Sequence, residues 1–133
     1  SCYQDASVRD WQRHSPQFSP GKNFPDTGGF GPWLVTPDEV PPWDQMTLET
    51  RVNGTALQNG RLDDLTYGVA DLIAYISKFT VLIPGDVIIT GTPSGVGFAR
   101  KPPIYLKDGD TVEVEIKGVG TLVNPVVAEA LSA

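Results

Sequence analysis

The sequence predicts a β-rich α+β fold with one main amphipathic helix, at about residues 66–79. Its 14 glycines and 12 prolines among 133 residues indicate many tight connections and few helices. Short segments in which apolar and polar residues alternate lie between these turns, which is typical of half-buried strands. Only one stretch places apolar residues at helical spacing.

Composition limits the size and the class of the protein. With 40% hydrophobic residues, a chain of this length supports one modest domain, so a single unit over residues 1–133 is predicted. The net charge of −6 argues against nucleic acid as a partner, because that binding mode needs clustered Lys and Arg. The lone Cys2 excludes an internal disulfide and fits the cytoplasm. No apolar stretch approaches the roughly 18 residues of a membrane span, so no membrane contact is expected.

The first third of the chain is predicted to begin with a strand end at residues 3–5. Residues 7–13 should follow as a turn or a short helix, with Ser7 as its N-cap. The Pro- and Gly-rich residues 15–32 predict a long loop, and loops of this length are usually functional. An apolar strand is expected at residues 33–36.

A β-hairpin is the clearest local prediction. Residues 47–52 alternate as a half-buried strand does. Asn53 and Gly54 then favour a type I′ turn, because both tolerate positive φ, so residues 55–58 should return antiparallel.

The helix at residues 66–79 is expected to pack on a sheet, and Pro84 prevents its extension. The apolar residues at helical spacing are Val69, Leu72, Ile73 and Ile76. The Val-Ile-Ile run at residues 86–90 predicts a buried strand that brings Gly91 and Thr92 to its carboxyl end.

Two further strands are predicted near the end of the chain. Residues 111–117 alternate, and residues 121–127 should pair with them across the glycines of residues 118–120. The side chains expected to point inward are Val112, Val114 and Ile116.

A dense polar cluster opens the chain. Two carboxylates, two guanidiniums, four side-chain amides and a lysine fall within residues 3–24. A carboxylate at a strand end, followed by a turn with Arg and Gln and by a Lys in a loop, could bind a metal cation beside an anionic oxygen.

The same cluster carries a family resemblance. Residues 3–12, YQDASVRDWQ, resemble the N-D-x-S-A-R-D-x-Q signature of the fumarylacetoacetate hydrolase family, and residues 21–24 resemble its G-K-[NS]-F motif. Gln4 and Val8 depart from the usual Asn and Ala, but neither change removes a charged group. The agreement continues in order through residues 31–36, 84–88, 90–97, 118–122 and 124–126.

The resemblance implies the mixed β-sandwich or roll of that family. In the family this signature follows a segment with a Glu-x-Glu metal pair and, in many members, a His and a Glu used in acid–base chemistry. Residues 1–133 are therefore expected to be a portion of the family domain whose N-terminal part is absent from this chain.

The resemblance also implies a metal site. Asp5 matches the Asp that binds the metal, although a bare Asp at a strand end often only caps a turn. Lys22 matches a catalytic Lys whose ammonium stabilises enolate or oxyanion charge, although alone it would be an ordinary surface lysine. An all-oxygen site suits Mg²⁺ or Mn²⁺, with Ca²⁺ as a further option.

Four residues are implied to bind substrate. Thr92 and Gly91 match positions that contact the substrate carboxylate, although without the resemblance they form a turn after a strand. Gln12 and Arg9 match positions that can reach substrate, whereas the alternative for Arg9 is a structural ion pair with Asp10.

Three apparent motifs are set aside. Glu113 and Glu115 imitate the Glu-x-Glu pair, but a solvated strand face explains them better. Residues 91–97 are Gly-rich but lack the spacing of phosphate or dinucleotide loops. His14, the single histidine, has no evident catalytic partners.

The resemblance predicts a metal-dependent, catabolic hydrolase of C–C bonds in acylpyruvate or other 2-oxo and β-diketo acids. It also implies a homodimer. One carboxylate does not hold a divalent ion tightly, so this chain alone is expected to turn over substrate poorly or not at all. Two alternatives stay open. The first is an isomerase or decarboxylase of 2-hydroxymuconate-type dienoates. The second is a catalytically silent dimerisation or scaffold domain.

Overall fold

The computed structural model describes residues 1–129, which form two sheets and few helices. The strands are β1 (Cys2–Tyr3), β2 (Phe30–Gly31), β3 (Thr47–Val52), β4 (Thr55–Arg61), β5 (Thr111–Ile116) and β6 (Gly120–Pro125). The α-helices are α1 (Arg9–Gln12) and α2 (Val69–Ile76), and short 3-10 turns occur at Ser19–Gly21, Trp43–Gln45, Leu62–Asp64 and Gly97–Ala99. The predicted β-rich class is confirmed.

The larger sheet has the strand order β4-β3-β5-β6, and β1 pairs with β2 in a separate two-stranded sheet. Every strand pair within residues 1–129 is antiparallel. Strand β3 lies between β4 and β5, which places the hairpin at one side of the sheet.

The hairpin agrees with its sequence pattern. Strand β3 has the predicted bounds, and Asn53 and Gly54 have φ values of 50° and 76°, as a type I′ turn requires. Strand β4 continues three residues beyond the predicted end and reaches Arg61.

Strands β5 and β6 form the second hairpin of this sheet. Val112 and Val114 are buried and Ile116 is half-buried, so the predicted inward face is confirmed. Strand β6 begins at Gly120 and ends at Pro125, slightly earlier than expected.

A small core joins the two sheets. It consists of Cys2, Met46, Val114 and Val119, with half-buried apolar neighbours around it. Burial of Cys2 raises the pKa of its thiol, which donates a hydrogen bond to the Gly120 carbonyl at 3.4 Å. Cys2 is therefore a packing residue.

Two predictions near the start of the chain are wrong. Helix α1 begins at Arg9 and Val8 occupies its N-cap position, so Ser7 does not cap it. Residues 33–36 form no strand. Pairing with β1 ends at Gly31, and the next residue, Pro32, has no N–H group to continue a ladder.

Helix α2 is shorter than the predicted residues 66–79, and its first residue is set by a local hydrogen bond. The Asp71 carboxylate accepts a hydrogen bond from the Gly68 N–H at 3.3 Å, so the helix begins at Val69. The prediction that this helix packs on a sheet is wrong, since none of its residues is buried and Ile73 is 43% exposed. No helix in the described part of the chain is long and apolar enough to cross a membrane.

The buried strand predicted at residues 86–90 is also wrong. These residues belong to no sheet, and Val87 is 53% exposed. The apolar run predicted burial, but no element of residues 1–129 lies against it as a neighbouring strand. Residues 69–89 are called the apolar segment below. Its exposed apolar side chains are Val69, Ile73, Tyr75, Phe79, Val81, Ile83, Val87 and Ile89.

Candidate functional site

The candidate site centres on a contact between two residues that lie seventeen positions apart. Lys22 Nζ is 2.6 Å from Asp5 Oδ1 and 3.4 Å from the Asp5 carbonyl oxygen. The two side chains are 28% and 29% exposed, so the pair is shielded from solvent but still open to a small ligand. Asp5 therefore holds a lysine ammonium and does not cap the following turn.

A close approach of the backbone brings Lys22 to Asp5. The Val8 N–H donates a hydrogen bond to the Gly21 carbonyl at 2.9 Å. This bond joins the loop that carries Lys22, called the lysine loop below, to the start of α1. A Cβ at Gly21 would lie 2.8 Å from Gln12 Cα, closer than packed carbon atoms tolerate. Only glycine fits this position, and the residue after it carries the ammonium.

Helix α1 presents the second part of the site. Arg9 donates a hydrogen bond to the side-chain oxygen of Gln12, which is 8% exposed. The Arg9 guanidinium also lies over the ring of Phe98, with Cζ 4.5 Å from the ring centroid. Arg9 forms no ion pair with Asp10 within residues 1–129, so the ion pair expected as the alternative is wrong.

Thr92 and Gly91 lie on a different loop. The Thr92 hydroxyl accepts a hydrogen bond from Gln58 Nε2 at 2.9 Å, and the same nitrogen donates to the Pro93 carbonyl at 2.8 Å. Neither Asp5 nor Lys22 is hydrogen-bonded to Thr92 within residues 1–129. The fold thus joins Asp5 to Lys22 and Arg9 to Gln12, whereas Thr92 is held by β4.

Three residues of this region were missed in the sequence. Gln58 fixes Thr92, Phe98 covers Arg9, and Arg100 donates from Nε to the Gly95 carbonyl at 3.0 Å. Arg100 also donates to the Leu57 carbonyl. The partners lie far apart along the chain, so no local pattern marks these side chains.

The two glutamates that were set aside have structural partners. Arg51 donates to Glu113 at 2.9 Å, to Glu115 at 2.8 Å and to Glu49 at 2.7 Å. These hydrogen bonds raise the pKa of the Arg51 guanidinium. The strand face is an ion-paired network, so Arg51 accounts for the two glutamates without a metal ion. His14 is exposed beside Trp11, at 4.8 Å between ring centroids.

The described residues do not complete a site for a divalent ion. Within residues 1–129 there is no group of three or more His, Cys, Asp or Glu side chains able to hold a metal. Asp5 supplies the oxygen ligand that Mg²⁺, Mn²⁺ or Ca²⁺ prefers, but these ions need several such ligands. Its carboxylate is also partly neutralised by Lys22.

Comparison with known proteins gives a consistent assignment. The model of the family described as fumarylacetoacetate (FAA) hydrolase C-terminal matches residues 1–127. A human relative, oxaloacetate tautomerase FAHD2A, mitochondrial, is 46% identical over 125 residues, which cover 92% of this chain. The match covers 40% of that relative, so the chain spans well under half of its length.

Solved structures give the same result. The fumarylacetoacetate hydrolase of Exiguobacterium antarcticum is 42% identical with a TM-score of 0.89, over 96% of this chain and 46% of that one. The 5-carboxymethyl-2-hydroxymuconate delta-isomerase of Mycobacterium smegmatis is 40% identical with a TM-score of 0.81, over 95% of this chain and 46% of that one.

Proposed function

The chain belongs to the fumarylacetoacetate hydrolase family, and from this premise we propose that it carries part of an active site that forms the enolate of a 2-oxo acid. The substrate class is a small 2-oxo or β-diketo acid. The 2.6 Å contact between Lys22 Nζ and Asp5 Oδ1 is the observation that carries the proposal. The contact orients the Lys22 ammonium, which supports a role for this cation in binding an oxygen of the substrate.

Enolate formation removes a proton from the carbon beside the ketone and moves negative charge onto the ketone oxygen. The Lys22 ammonium stabilises that developing charge, because a donor fixed before the reaction needs no reorganisation. Asp5 orients the ammonium through its carboxylate and its carbonyl oxygen, which leaves one of the three ammonium hydrogens for the substrate. Lys22 is therefore the proposed catalytic residue.

Arg9, Thr92 and Gly91 are the groups proposed to bind the substrate. Arg9 has donors beyond the one that Gln12 accepts, and a guanidinium suits a carboxylate because both groups are planar. Thr92 and Gly91 remain predicted contacts of the same carboxylate.

Proton transfer without cleavage of a C–C bond is the first candidate reaction. A tautomerase or isomerase needs a base and an enolate-stabilising cation, and no nucleophilic water. The printed names of the human and Mycobacterium smegmatis relatives, a tautomerase and an isomerase, favour this candidate.

Hydrolysis of a C–C bond in an acylpyruvate is the second candidate. The name of the matched family and that of the Exiguobacterium antarcticum protein favour it. It uses the same cation, because cleavage also leaves an enolate, but it requires an activated water in addition. Decarboxylation of a related dienoate leaves an enolate too.

A divalent ion, a homodimer and the cytoplasm remain predictions for this protein. Asp5 is the proposed metal ligand, and further oxygen ligands would have to complete the site. The compartment is not fixed by the relatives, since the human protein is named as mitochondrial.

The test uses the purified full chain, with and without Mg²⁺. One assay follows ketonisation of enol-oxaloacetate by ultraviolet absorbance, and a second follows cleavage of an acylpyruvate by NMR. We expect ketonisation above the uncatalysed rate, lost in Lys22→Met and kept in the control Lys117→Met, whose lysine is exposed. Cleavage without ketonisation would favour the hydrolase. The absence of both would contradict activity of this chain alone, and it would fit either an incomplete site or the silent scaffold domain.

A further inference from the structure

The Phe98 ring lies close to two cations. The Arg9 Cζ lies 4.5 Å from its ring centroid, and the Arg13 Cζ lies 5.5 Å from it. Both distances are within the range of cation–π attraction, in which a guanidinium is drawn to the negative face of the ring. Phe98 is 40% exposed, so the contact is not simply the burial of an apolar side chain.

The loop that carries Phe98 is anchored at both ends to β4. Gln58 donates to Thr92 and to the Pro93 carbonyl at the start of the loop, and Arg100 donates to the Leu57 carbonyl at its end. Between these anchors, the Ala99 N–H donates to the Val96 carbonyl at 3.1 Å. The ring is thus presented to α1 from a fixed backbone.

Arg9 is held by two contacts that differ in direction. Gln12, which is buried, accepts one hydrogen bond from the edge of the guanidinium. The Phe98 ring lies under the Arg9 guanidinium carbon, at 4.5 Å from the ring centroid. A ring face attracts the cation without replacing a carboxylate as hydrogen-bond acceptor, so the donors that Gln12 does not use remain for a substrate carboxylate, and the ring limits where the guanidinium can lie.

We infer that Phe98 is a positioning residue that orients Arg9 to receive the substrate carboxylate. The inference rests on the proposed function, in which Arg9 binds a 2-oxo acid. It also connects the Thr92 loop to α1, since any movement of the loop carries the ring with it. Phe98 itself does not touch the reacting atoms.

The expected kinetic signature is a change in KM. A contact that acts equally on bound substrate and on the transition state raises KM and leaves kcat unchanged when it is lost. Phe98→Leu keeps the apolar volume and removes the ring, so KM for the 2-oxo acid should rise about 2- to 5-fold, the size of an exposed cation–π contact. Phe98→Tyr keeps the ring face and should restore the original KM.

Two further variants separate positioning from general packing. Phe79→Leu is the matched control, because Phe79 is exposed and contacts Tyr75 rather than an arginine. It should leave KM unchanged. In an Arg9→Met background, Phe98→Leu should have no additional effect on KM, because the group that it orients is gone.

The outcomes distinguish this inference from the proposed function. An active wild type in which Phe98→Leu leaves KM unchanged, or in which Phe98→Tyr fails to restore it, overturns the positioning role alone. The same holds if Phe98→Leu still raises KM after Arg9 is replaced. A wild type that turns over no 2-oxo acid overturns both.

Discussion

The four-stranded sheet and the apolar segment use similar residues with opposite results. In β5, Val112 and Val114 alternate with glutamates and are buried. In residues 69–89, Val87 and Ile89 belong to a continuous apolar run with Ile88, yet both are about half exposed. The sheet supplies neighbouring strands on both sides of β5, whereas no strand of residues 1–129 pairs with the apolar segment.

The difference shows what an apolar pattern specifies. Alternation decides which side chains share a face, because successive residues of an extended chain point to opposite sides. Burial needs a second element that covers that face, and this element comes from distant sequence. The predictions below test whether the contrast holds in solution.

The largest expected effect on stability is in the sheet. Val114→Ala removes two methyl groups from a side chain that is 4% exposed, so unfolding free energy should fall by about 2–3 kcal/mol from lost burial and the cavity left behind. The matched change Val87→Ala should cost less than about 0.5 kcal/mol. Urea denaturation measures both. Equal losses would mean that the apolar segment is covered in solution.

The next largest effect on unfolding free energy is expected where the lysine loop packs on α1. Gly21→Ala places a Cβ 2.8 Å from Gln12 Cα and 2.9 Å from the Val8 carbonyl oxygen, so unfolding free energy should fall by about 1–3 kcal/mol. Gly68→Ala, at the start of the apolar segment, meets nothing closer than 3.5 Å and should cost less. If Gly68→Ala proves the more damaging change by calorimetry, the tight packing of the loop on α1 is refuted.

The smallest expected effect is a dependence of folding stability on pH, caused by Asp110 at the turns of the sheet. The hydrogen bond from Asn53 and that from the Lys107 N–H lower the pKa of Asp110 from its ordinary value of 3.8. Because the folded state favours the ionised form, this contribution is present above that value and is lost as pH falls through the lowered folded pKa.

Asp110→Asn should therefore flatten the acid side of the stability profile. The check is unfolding free energy by urea denaturation at several pH values, from neutral down to acid. A variant whose losses match those of the wild type at every pH would contradict the role assigned to Asp110.

The sequence predicted the two hairpins of the sheet well because their information is local, whereas the pairing of β3 with β5 was not predicted. Strand alternation and the Asn53-Gly54 turn determine β3 and β4 within fifteen residues. The prediction for residues 86–90 was wrong because burial there depends on a covering element, and the pattern says nothing about that element.

The site was predictable only in part. The pairing of Asp5 with Lys22 agrees with the family motifs, but the Arg9–Asp10 ion pair was a poor expectation, because adjacent helical residues point about 100° apart. Gln58, Phe98 and Arg100 were missed, since each acts on a partner brought near only by the fold.

The central claim is that Asp5 and Lys22 act as one unit in the reaction. The most direct test is a double-mutant cycle on kcat/KM for the 2-oxo acid with Asp5→Asn, Lys22→Met and the combined variant. We predict that each single change lowers kcat/KM at least about 100-fold. The kcat/KM of the double variant should be little lower than that of the less active single variant. Fully independent effects, or wild-type rates in either single variant, would contradict the account.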